Sequence, residues 1–427
     1  MKFHYAFFVL LDKHSSMLTL ITNIKELLQI REPNVSKVSG AEMNVLPTIK
    51  NAFLLIKDEV ISNFGTMENL PKINADKIID ATGKIILPSW CDSHTHIVYA
   101  GNREQEFVAR INGATYEEIA ASGGGILNSA KTLQATSEEE LYKQSAKRLE
   151  EVIQLGTGAV EIKSGYGLTL EAELKMLRVI QKLNDNYPIE IKATYLAAHA
   201  IPKNYNGNSE AYIDDVISKF LPVVAKEKLA EFIDVFCETG YFSVDDTNKL
   251  LKEAQAYNLT PKIHVNQFTA IGGVQAGVNN NALSVDHLEI LNDEDIESLK
   301  NSKTMPVALP LCSHFLSIPY TPVKKLIASG LPVALATDYN PGSTPSGNMN
   351  QVVSEACIKM KMTPEEAINA ATINGAYAMG IQETHGSITI GKHANIIITK
   401  EIPSYGFLPY AFGSNLIDTV LVNGVIV

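Results

Sequence analysis

The sequence has few cysteines and no long apolar segment, and each absence excludes a class of protein. Its 427 residues include four widely spaced cysteines, at positions 91, 237, 312 and 357, and none is part of a C-x-x-C pair. This argues against a cysteine-rich zinc site and is typical of reduced thiols in a cytoplasmic protein. No run of about 18 apolar residues occurs, so we expect no membrane-spanning helix.

Positive charge is also scarce. Lysine and arginine number 36, aspartate and glutamate number 47, and the formal net charge is −11. This balance argues against nucleic acid or an anionic membrane as a partner. A small anionic substrate remains compatible with it, because a single arginine inside a site can bind one. The length exceeds that of one ordinary compact core and predicts a large domain with a smaller one.

The first 16 residues differ from the rest. The apolar stretch 3–11 faintly resembles a signal peptide, but His4 and Tyr5 interrupt it and no clear small-residue cleavage site follows. We therefore interpret residues 1–16 as an N-terminal extension that can be disordered, with Met17 as an alternative start. Secretion is the less favoured interpretation.

The two ends of the chain have strand character. Residues 17–88 contain short apolar runs separated by turns, with one helical stretch expected at 24–31. Residues 385–427 return to the same pattern. We predict that both segments pair and form one small β-sandwich domain.

Between these ends, residues 89–384 alternate strand-like and helical stretches, which predicts βα units and a parallel sheet. The strand candidates are Ile85–His96, Ala159–Ile162, Ile189–Ala193, Phe232–Phe236, Pro261–Val265, Ala282–Val285, Met305–Leu309 and Pro332–Ala336. Eight units in about 250 residues match a (β/α)₈ barrel, of the TIM type. A doubly wound sheet is the alternative, but it would want a glycine-rich dinucleotide turn after the first strand, and that turn is absent.

Histidines cluster where these strands end. The first strand runs into Asp92-Ser93-His94-Thr95-His96, and two histidines at positions i and i+2 of a strand point to the same face. Six of the ten histidines fall at such ends: His94, His96, His199, His264, His287 and His314. The carboxyl ends of barrel strands carry the functional groups, so we expect these side chains on one face. Three histidines with one aspartate suit a Zn²⁺ or Fe ion.

With Asp338 after the last strand and the closing stretch Gly386-Ser387-Ile388-x-x-Gly391-Lys392, the Asp-Ser-His-Thr-His motif resembles the amidohydrolase superfamily. Within it the chain is most similar to the imidazolonepropionase family. The stretches that carry this resemblance are Asp92–His96 with Arg103, Glu161–Gly167, Leu196–His199, Ala336–Ser343 and Pro345–Met349. The resemblance covers about residues 17–427.

The resemblance implies one metal ion, Zn²⁺ or Fe³⁺, held by His94, His96, His264 and Asp338. Many members of the superfamily hold two metals through a lysine after the fourth strand. That strand ends here in Cys237-Glu238, and Lys163 follows the second strand instead, so a mononuclear site is favoured. Glu238 is a minor candidate for a second-metal ligand, and its alternative role is a carboxylate bonded to loop backbone.

The resemblance also implies a reaction: hydrolysis of the ring amide of 4-imidazolone-5-propanoate to N-formimidoyl-L-glutamate, in histidine breakdown. A metal ion lowers the pKa of bound water to about 7 and so makes hydroxide available. Asp338 is expected to accept the proton of water, and His287 to polarise the carbonyl or carry a proton. Gln267 is the third residue expected at the reacting ring, where it can form hydrogen bonds but cannot act as a base.

The residues expected to bind the substrate are Arg103, Tyr166, His199, Gln267, Asn340, Gly342 and Ser343. Arg103 could bind the propanoate carboxylate with two hydrogen bonds. Its alternative is a salt bridge with Glu104 or Glu106. Gly342 would let backbone N–H groups approach the ligand, or else it serves only a Pro-Gly turn.

Two other functions stay open at this point. The first is another cyclic amidohydrolase or deaminase, acting on a hydantoin, dihydropyrimidine or guanine-like ring. The second is a scaffold without activity, which the complete ligand set disfavours. The resemblance further implies a homodimer. Separately, the glycines at 123–125 predict a mobile loop over the site.

Overall fold

The computed structural model describes residues 16–114, 118 and 124–427. Residues 1–15 of the predicted extension, and Gly123 of the predicted loop over the site, lie outside the described residues. The strands, in chain order, are β1 Leu18–Leu28, β2 Thr48–Lys57, β3 Val60–Thr66, β4 Lys77–Asp80, β5 Lys84–Pro88, β6 Trp90–Thr95, β7 Thr157–Lys163, β8 Glu190–Ala198, β9 Phe232–Cys237, β10 Thr260–Val265, β11 Ser284–His287, β12 Met305–Ala308, β13 Ala334–Leu335, β14 Ile396–Glu401, β15 Ile417–Val422 and β16 Val425–Ile426.

Helices connect the parallel strands and cover the sheet. The α-helices of the described residues span Glu104–Ile111, Ile126–Ala135, Glu138–Gln154, Leu170–Asn186, Ser209–Asp215, Leu221–Glu227, Val244–Gln255, Gly273–Asn279, Asp293–Lys300, Pro310–Leu316, Val323–Ala328, Met349–Ile358, Pro364–Ala371, Ile373–Ala378 and Phe407–Tyr410. Their boundaries follow the sequence. Ser137, for example, accepts a hydrogen bond from the Glu140 backbone N–H and caps the helix that follows, whose first turn is acidic.

Strands β6 to β13 form one sheet in sequential order, and every measured pair in it is parallel. The sheet closes on itself, because Thr95 at the end of the first strand pairs with Tyr339 after the last one. The predicted (β/α)₈ barrel is confirmed. Its interior-facing side chains include the residues of the predicted site.

The remaining strands form a second, mixed sheet in the order β16-β15-β14-β5-β1-β2-β3, with β4 beside β1. Strand β14 from the end of the chain runs antiparallel to β5, with Ile397 opposite Leu87. The predicted small β-domain built from both chain ends is therefore confirmed as part of the fold. The domain boundaries at residues 16, 88 and 384 stay a prediction.

Two local predictions were wrong. The stretch 24–31, expected to be helical, is largely strand β1, where Glu26 and Leu27 pair with β2 on one side and β5 on the other. Pairing on both sides outweighs the helical spacing of its apolar residues. The stretch 85–96, expected to be one strand, is two: β5 belongs to the mixed sheet and β6 to the barrel, with Ser89 between them.

The expectation that His314 joins the other histidines was also wrong. Its place in the sequence, a few residues after β12, suggested a strand end. The chain instead forms the helix Pro310–Leu316, and the His314 side chain is 60% exposed, with Nδ1 3.0 Å from Glu355 Oε1. Within the part of the chain that the structure describes, no helix has the length and apolar character needed to cross a membrane.

The helix Ile373–Ala378 packs so closely on β6 that it has no space for a side chain at Gly375. A Cβ at this position would collide with the backbone carbonyl oxygen of Cys91. The contact matters because β6 continues into His94 and His96.

We predict that Gly375→Ala destabilises the protein by about 1–3 kcal/mol, the usual range for overpacking. This exceeds the roughly 0.5–1 kcal/mol that alanine gains over glycine in a helix. Thermal unfolding measures the effect as a lower midpoint. Gly406→Ala is the control, because its Cβ would lie 3.7 Å from the nearest atom, Ser404 Oγ. A midpoint of Gly375→Ala equal to that of the control would contradict the prediction.

Candidate metal centre and active site

Five histidines and one aspartate meet at the carboxyl end of the barrel. His94 and His264 lie on β6 and β10 and His287 ends β11, while His96, His199 and Asp338 follow β6, β8 and β13. All but His94 line a single pocket, whose walls are His96, Tyr166, His199, Phe236, His264, Gln267, His287, Asp338, Asn340 and Ser343. The structure thus brings together five of the six histidines expected at strand ends.

Three of these histidines form a tight cluster with Asp338. One ring nitrogen from each of His94, His96 and His264 lies within 4.8 Å of the other two. Asp338 Oδ1 lies 3.5 Å from His94 Nε2 and 3.6 Å from His96 Nε2. Ligands about 2.1 Å from a tetrahedral zinc ion are about 3.4 Å apart. The spacing therefore fits a metal ion between these groups.

The protonation state of the cluster agrees with this fit. Burial lowers the pKa of His94 and His96 well below the ordinary value, and it lowers that of His264 to about 4. At neutral pH all three rings are neutral, which is the form that binds a metal. His94 Nε2 and His264 Nε2 are buried and have no hydrogen-bond partner within the described chain. Buried nitrogens without a partner are costly unless something binds them.

Asp338 and His287 have environments suited to moving protons. Burial raises the pKa of Asp338 to about 6, although the charge of His287 opposes the rise. Ser343 Oγ donates a hydrogen bond of 3.2 Å to Asp338 Oδ2. Burial alone would lower the pKa of His287, but the nearby Glu289 carboxylate raises it above its ordinary value. A carboxyl group and an imidazole, both with a raised pKa, thus line the same pocket.

The loop after the last strand is built by the Asn340 side chain. Its Oδ1 accepts hydrogen bonds of 2.8 Å from the backbone N–H groups of Gly342 and Ser343. Its Nδ2 donates bonds of 2.7 Å to the Asp338 carbonyl oxygen and to Ser343 Oγ. Asn340 therefore fixes the chain around Asp338 as well as lining the pocket.

Arg103 and Gly342 lie against each other beside the pocket. A Cβ at Gly342 would collide with Arg103 Nη1, so only glycine lets the guanidinium approach this closely. Arg103 Nε and Nη2 donate bonds of 2.7 and 2.5 Å to Glu106 Oε2, which is the salt bridge considered as its alternative role. Burial raises the pKa of Tyr166 in the pocket wall, and the Arg103 charge opposes that rise.

Glu238, the minor candidate for a second-metal ligand, has other partners, and so does Lys163. Glu238 accepts backbone hydrogen bonds from Thr239 at 2.9 Å and Phe268 at 2.9 Å, in agreement with its alternative role as a carboxylate bonded to loop backbone. Lys163 points into the barrel, where its Nζ lies 2.6 Å from Glu161 Oε1 and 2.8 Å from Asp234 Oδ2.

Sequence reasoning missed several residues of the site. Phe236 forms part of the pocket wall. Gln267 Nε2 donates to Cys312 Sγ at 3.4 Å, which directs the Gln267 amide. Asp234 Oδ2 lies 2.9 Å from His264 Nδ1 on the side of the ring away from the cluster. For Asp234 the sequence did offer a signal, because it is a charged residue inside an apolar strand and such a residue is rarely buried without a partner.

Comparisons with known proteins identify the family. The model of the amidohydrolase family matches residues 85–427. The imidazolonepropionase of Flavobacterium johnsoniae is 71% identical over 411 residues, which cover 96% of this chain and all of that protein. The imidazolonepropionase of Clostridium tetani is 42% identical over 91% of this chain and 93% of that protein.

The solved structure of E. coli guanine deaminase has the same fold, with a TM-score of 0.72. The superposition covers 97% of this chain and 99% of the deaminase chain at 15% sequence identity, so this likeness supports the architecture alone. The family match and the near full-length relatives agree with the clustered histidines of the barrel. The chain belongs to the amidohydrolase family and, within it, to the imidazolonepropionases.

Proposed function

We propose that this protein is an imidazolonepropionase, which hydrolyses the ring amide of 4-imidazolone-5-propanoate to N-formimidoyl-L-glutamate. The observation that carries the proposal is the clustering of His94, His96, His264 and Asp338 at the carboxyl end of the barrel, in a chain 71% identical to a protein of that name. The reaction belongs to histidine degradation, and it adds one water molecule to the substrate and breaks one carbonyl–nitrogen bond.

We propose that one metal ion binds to His94, His96, His264 and Asp338. The neutral buried imidazoles and the adjacent carboxylate support this donor set, which suits both Zn²⁺ and Fe³⁺. Such an ion would supply a Lewis acid and lower the pKa of water in the site. Since Glu238 is bonded to backbone and Lys163 to buried carboxylates, a single ion is the better fit.

The protein's own side chains then direct the reaction. Asp338 accepts the proton that water loses as its oxygen adds to the ring carbonyl carbon. His287, whose pKa is raised, donates a hydrogen bond to the carbonyl oxygen, where negative charge develops. Gln267 orients the ring by hydrogen bonding, with its amide directed by Cys312.

Arg103 is proposed to bind the propanoate arm. Glu106 already accepts bonds from Nε and Nη2, so Nη1, which lies against Gly342, is the nitrogen that faces the loop of the pocket. Tyr166, His199, Asn340 and Ser343 line the pocket beside it. The anionic arm thereby places the ring against Asp338 and His287.

We further propose a cytoplasmic homodimer. All four cysteines are free thiols, which is typical of a reducing compartment. The proposal of two subunits comes from the family resemblance, and sedimentation measures it directly.

Turnover of purified, metal-loaded protein on a panel of rings tests the function. We expect formimidoylglutamate from imidazolone propanoate, and little or no turnover of hydantoin, dihydropyrimidine or guanine. A preference for one of these other rings would replace the substrate assignment. Absence of both bound metal and activity after Zn²⁺ or Fe addition would instead favour a scaffold.

His264→Ala is expected to remove both bound metal and turnover, because it deletes one of the three clustered imidazoles. Elemental analysis of the purified variant and an activity assay measure the two effects. His314→Ala is the matched control: its ring is mostly exposed and bonded to Glu355 outside the pocket. Metal retained at the natural stoichiometry in His264→Ala would contradict the ligand assignment.

Arg103→Ala is expected to raise KM by about 10- to 100-fold with a smaller change in kcat, since a charged hydrogen bond contributes about 1.5–3 kcal/mol. Steady-state kinetics measures both constants. Arg178→Ala serves as control, because that side chain is 42% exposed and paired with Glu227 on the surface. A ring without the propanoate carboxylate should bind Arg103→Ala and the natural protein equally, and an unchanged KM for the full substrate would argue against this role.

A further inference from the structure

Five charged side chains are fully buried inside the barrel beneath the histidine cluster. They are the carboxylates of Glu161, Asp234 and Asp286 and the ammonium groups of Lys163 and Lys262, all with 0% exposure. Buried charges are tolerated only when they are paired. The contacts among these five groups therefore show how they depend on one another.

Two of the carboxylates contact the histidines of the cluster from behind. Asp286 Oδ2 lies 2.6 Å from His94 Nδ1, and Asp234 Oδ2 lies 2.9 Å from His264 Nδ1. In both rings Nε2 is buried and has no hydrogen-bond partner among the described residues. A carboxylate that binds one ring nitrogen fixes both the tautomer and the orientation of the ring.

Lys163 joins these two carboxylates. Its Nζ lies 2.8 Å from Asp234 Oδ2 and 3.7 Å from Asp286 Oδ2, the same two oxygen atoms that contact the histidines. It also lies 2.6 Å from Glu161 Oε1. Burial alone would lower the pKa of Lys163, but the surrounding carboxylates, Asp234 foremost, raise it above its ordinary value. One ammonium group thus holds the oxygen atoms behind two of the three histidines.

Lys262 is equally buried and has different partners. Its Nζ contacts Glu161 Oε2 and the backbone carbonyl oxygens of Ser93 and Ala378, the last two at 3.0 Å. Among the described residues its ion-pair partner is Glu161. Among the described residues, Lys262 thus has no ion-pair contact with Asp234 or Asp286, although its charge, like that of Lys163, opposes the rise in the pKa of Asp286.

We propose that Lys163 is a positioning residue for the metal site: through Asp286 and Asp234 it fixes the orientations of His94 and His264 and so sets the affinity for the ion. Without the ammonium group, two buried carboxylates lose a shared partner and no longer hold the two rings at one angle. The proposal rests on the proposed metal site, and it concerns residues that do not touch the ion.

Lys163→Met tests it, because methionine keeps the length of the side chain and removes the charge. We expect a 10- to 100-fold weaker affinity for Zn²⁺, the usual effect of losing a group that orients a metal ligand. Competition with a chromophoric chelator measures the affinity on the full chain. Visible spectra of the Co²⁺-loaded variant should differ from those of the natural protein, since they report the geometry of the ligands.

Lys262→Met is the matched control, with one buried charge of the same network removed. We expect it to lower the thermal midpoint of the metal-free protein and to weaken Zn²⁺ affinity less than Lys163→Met does, because Lys262 Nζ has no ion-pair contact with Asp234 or Asp286 among the described residues. Equal loss of affinity in both variants would assign the effect to general destabilisation and overturn the proposal. Natural affinity in Lys163→Met would overturn it as well.

Failure of the proposed metal site gives a different result, because the natural protein itself would then bind no Zn²⁺, and failure of the substrate assignment alone would leave the Zn²⁺ affinities of all these variants unchanged. Should Lys163→Met fail to fold, Lys163→Gln is measured in its place with the same expected loss of affinity. Glutamine can donate hydrogen bonds to one carboxylate but supplies no charge to share between two.

Discussion

Two backbone hydrogen bonds hold the site together. The Asp338 N–H donates to the His94 carbonyl oxygen and the His96 N–H donates to the Tyr339 carbonyl oxygen, both at 2.9 Å. Asp92 adds to this connection by accepting bonds from the Thr337 backbone N–H and hydroxyl, 245 positions away along the chain. These bonds close the barrel, and the same closure places the aspartate beside the two histidines. Barrel formation and site formation are therefore one event.

The site combines neutral histidine rings at the carboxyl end of the barrel with paired lysines and carboxylates inside the barrel. Burial lowers the pKa of the clustered histidines and keeps them uncharged, while each of the two lysines inside the barrel contacts at least one buried carboxylate. Removing one member of a buried pair typically costs 3–5 kcal/mol. The interior of this barrel thus contains a layer of paired charged side chains, whereas many barrels have only branched apolar side chains there. The same layer that stabilises the fold also directs the rings.

Much of this arrangement could be predicted from the sequence, and the reasons are specific. Parallel strands in βα units present their carboxyl ends at one face, so a residue at or shortly after a strand end, such as His264 or Asp338, has a predictable place. Tyr166, His199, Asn340 and Ser343 were expected from motif resemblance, and in the structure they line one pocket with three other clustered histidines. Their individual roles remain proposals.

Other parts could not be predicted, because they depend on contacts between distant segments. The stretch 24–31 has helical spacing, and only its pairing with β2 and β5 makes it a strand. His314 follows a strand closely, yet the helix begun at Pro310 turns it outward. Lys163 and Asp234 are visible in the sequence as charges within apolar runs, but nothing there shows that they meet, since 71 positions separate them.

The mixed sheet has a consequence for the synthesis of the chain. Strand β5 is complete when the ribosome has made its first ninety or so residues, but its neighbour β14 begins only at Ile396. During most of translation the early strands expose an unpaired edge, and the barrel lacks its final closing strand. Such edges bind other chains readily. The mixed sheet is therefore completed only after strand β14 has been synthesised, and until then the free edge of β5 can pair with other chains.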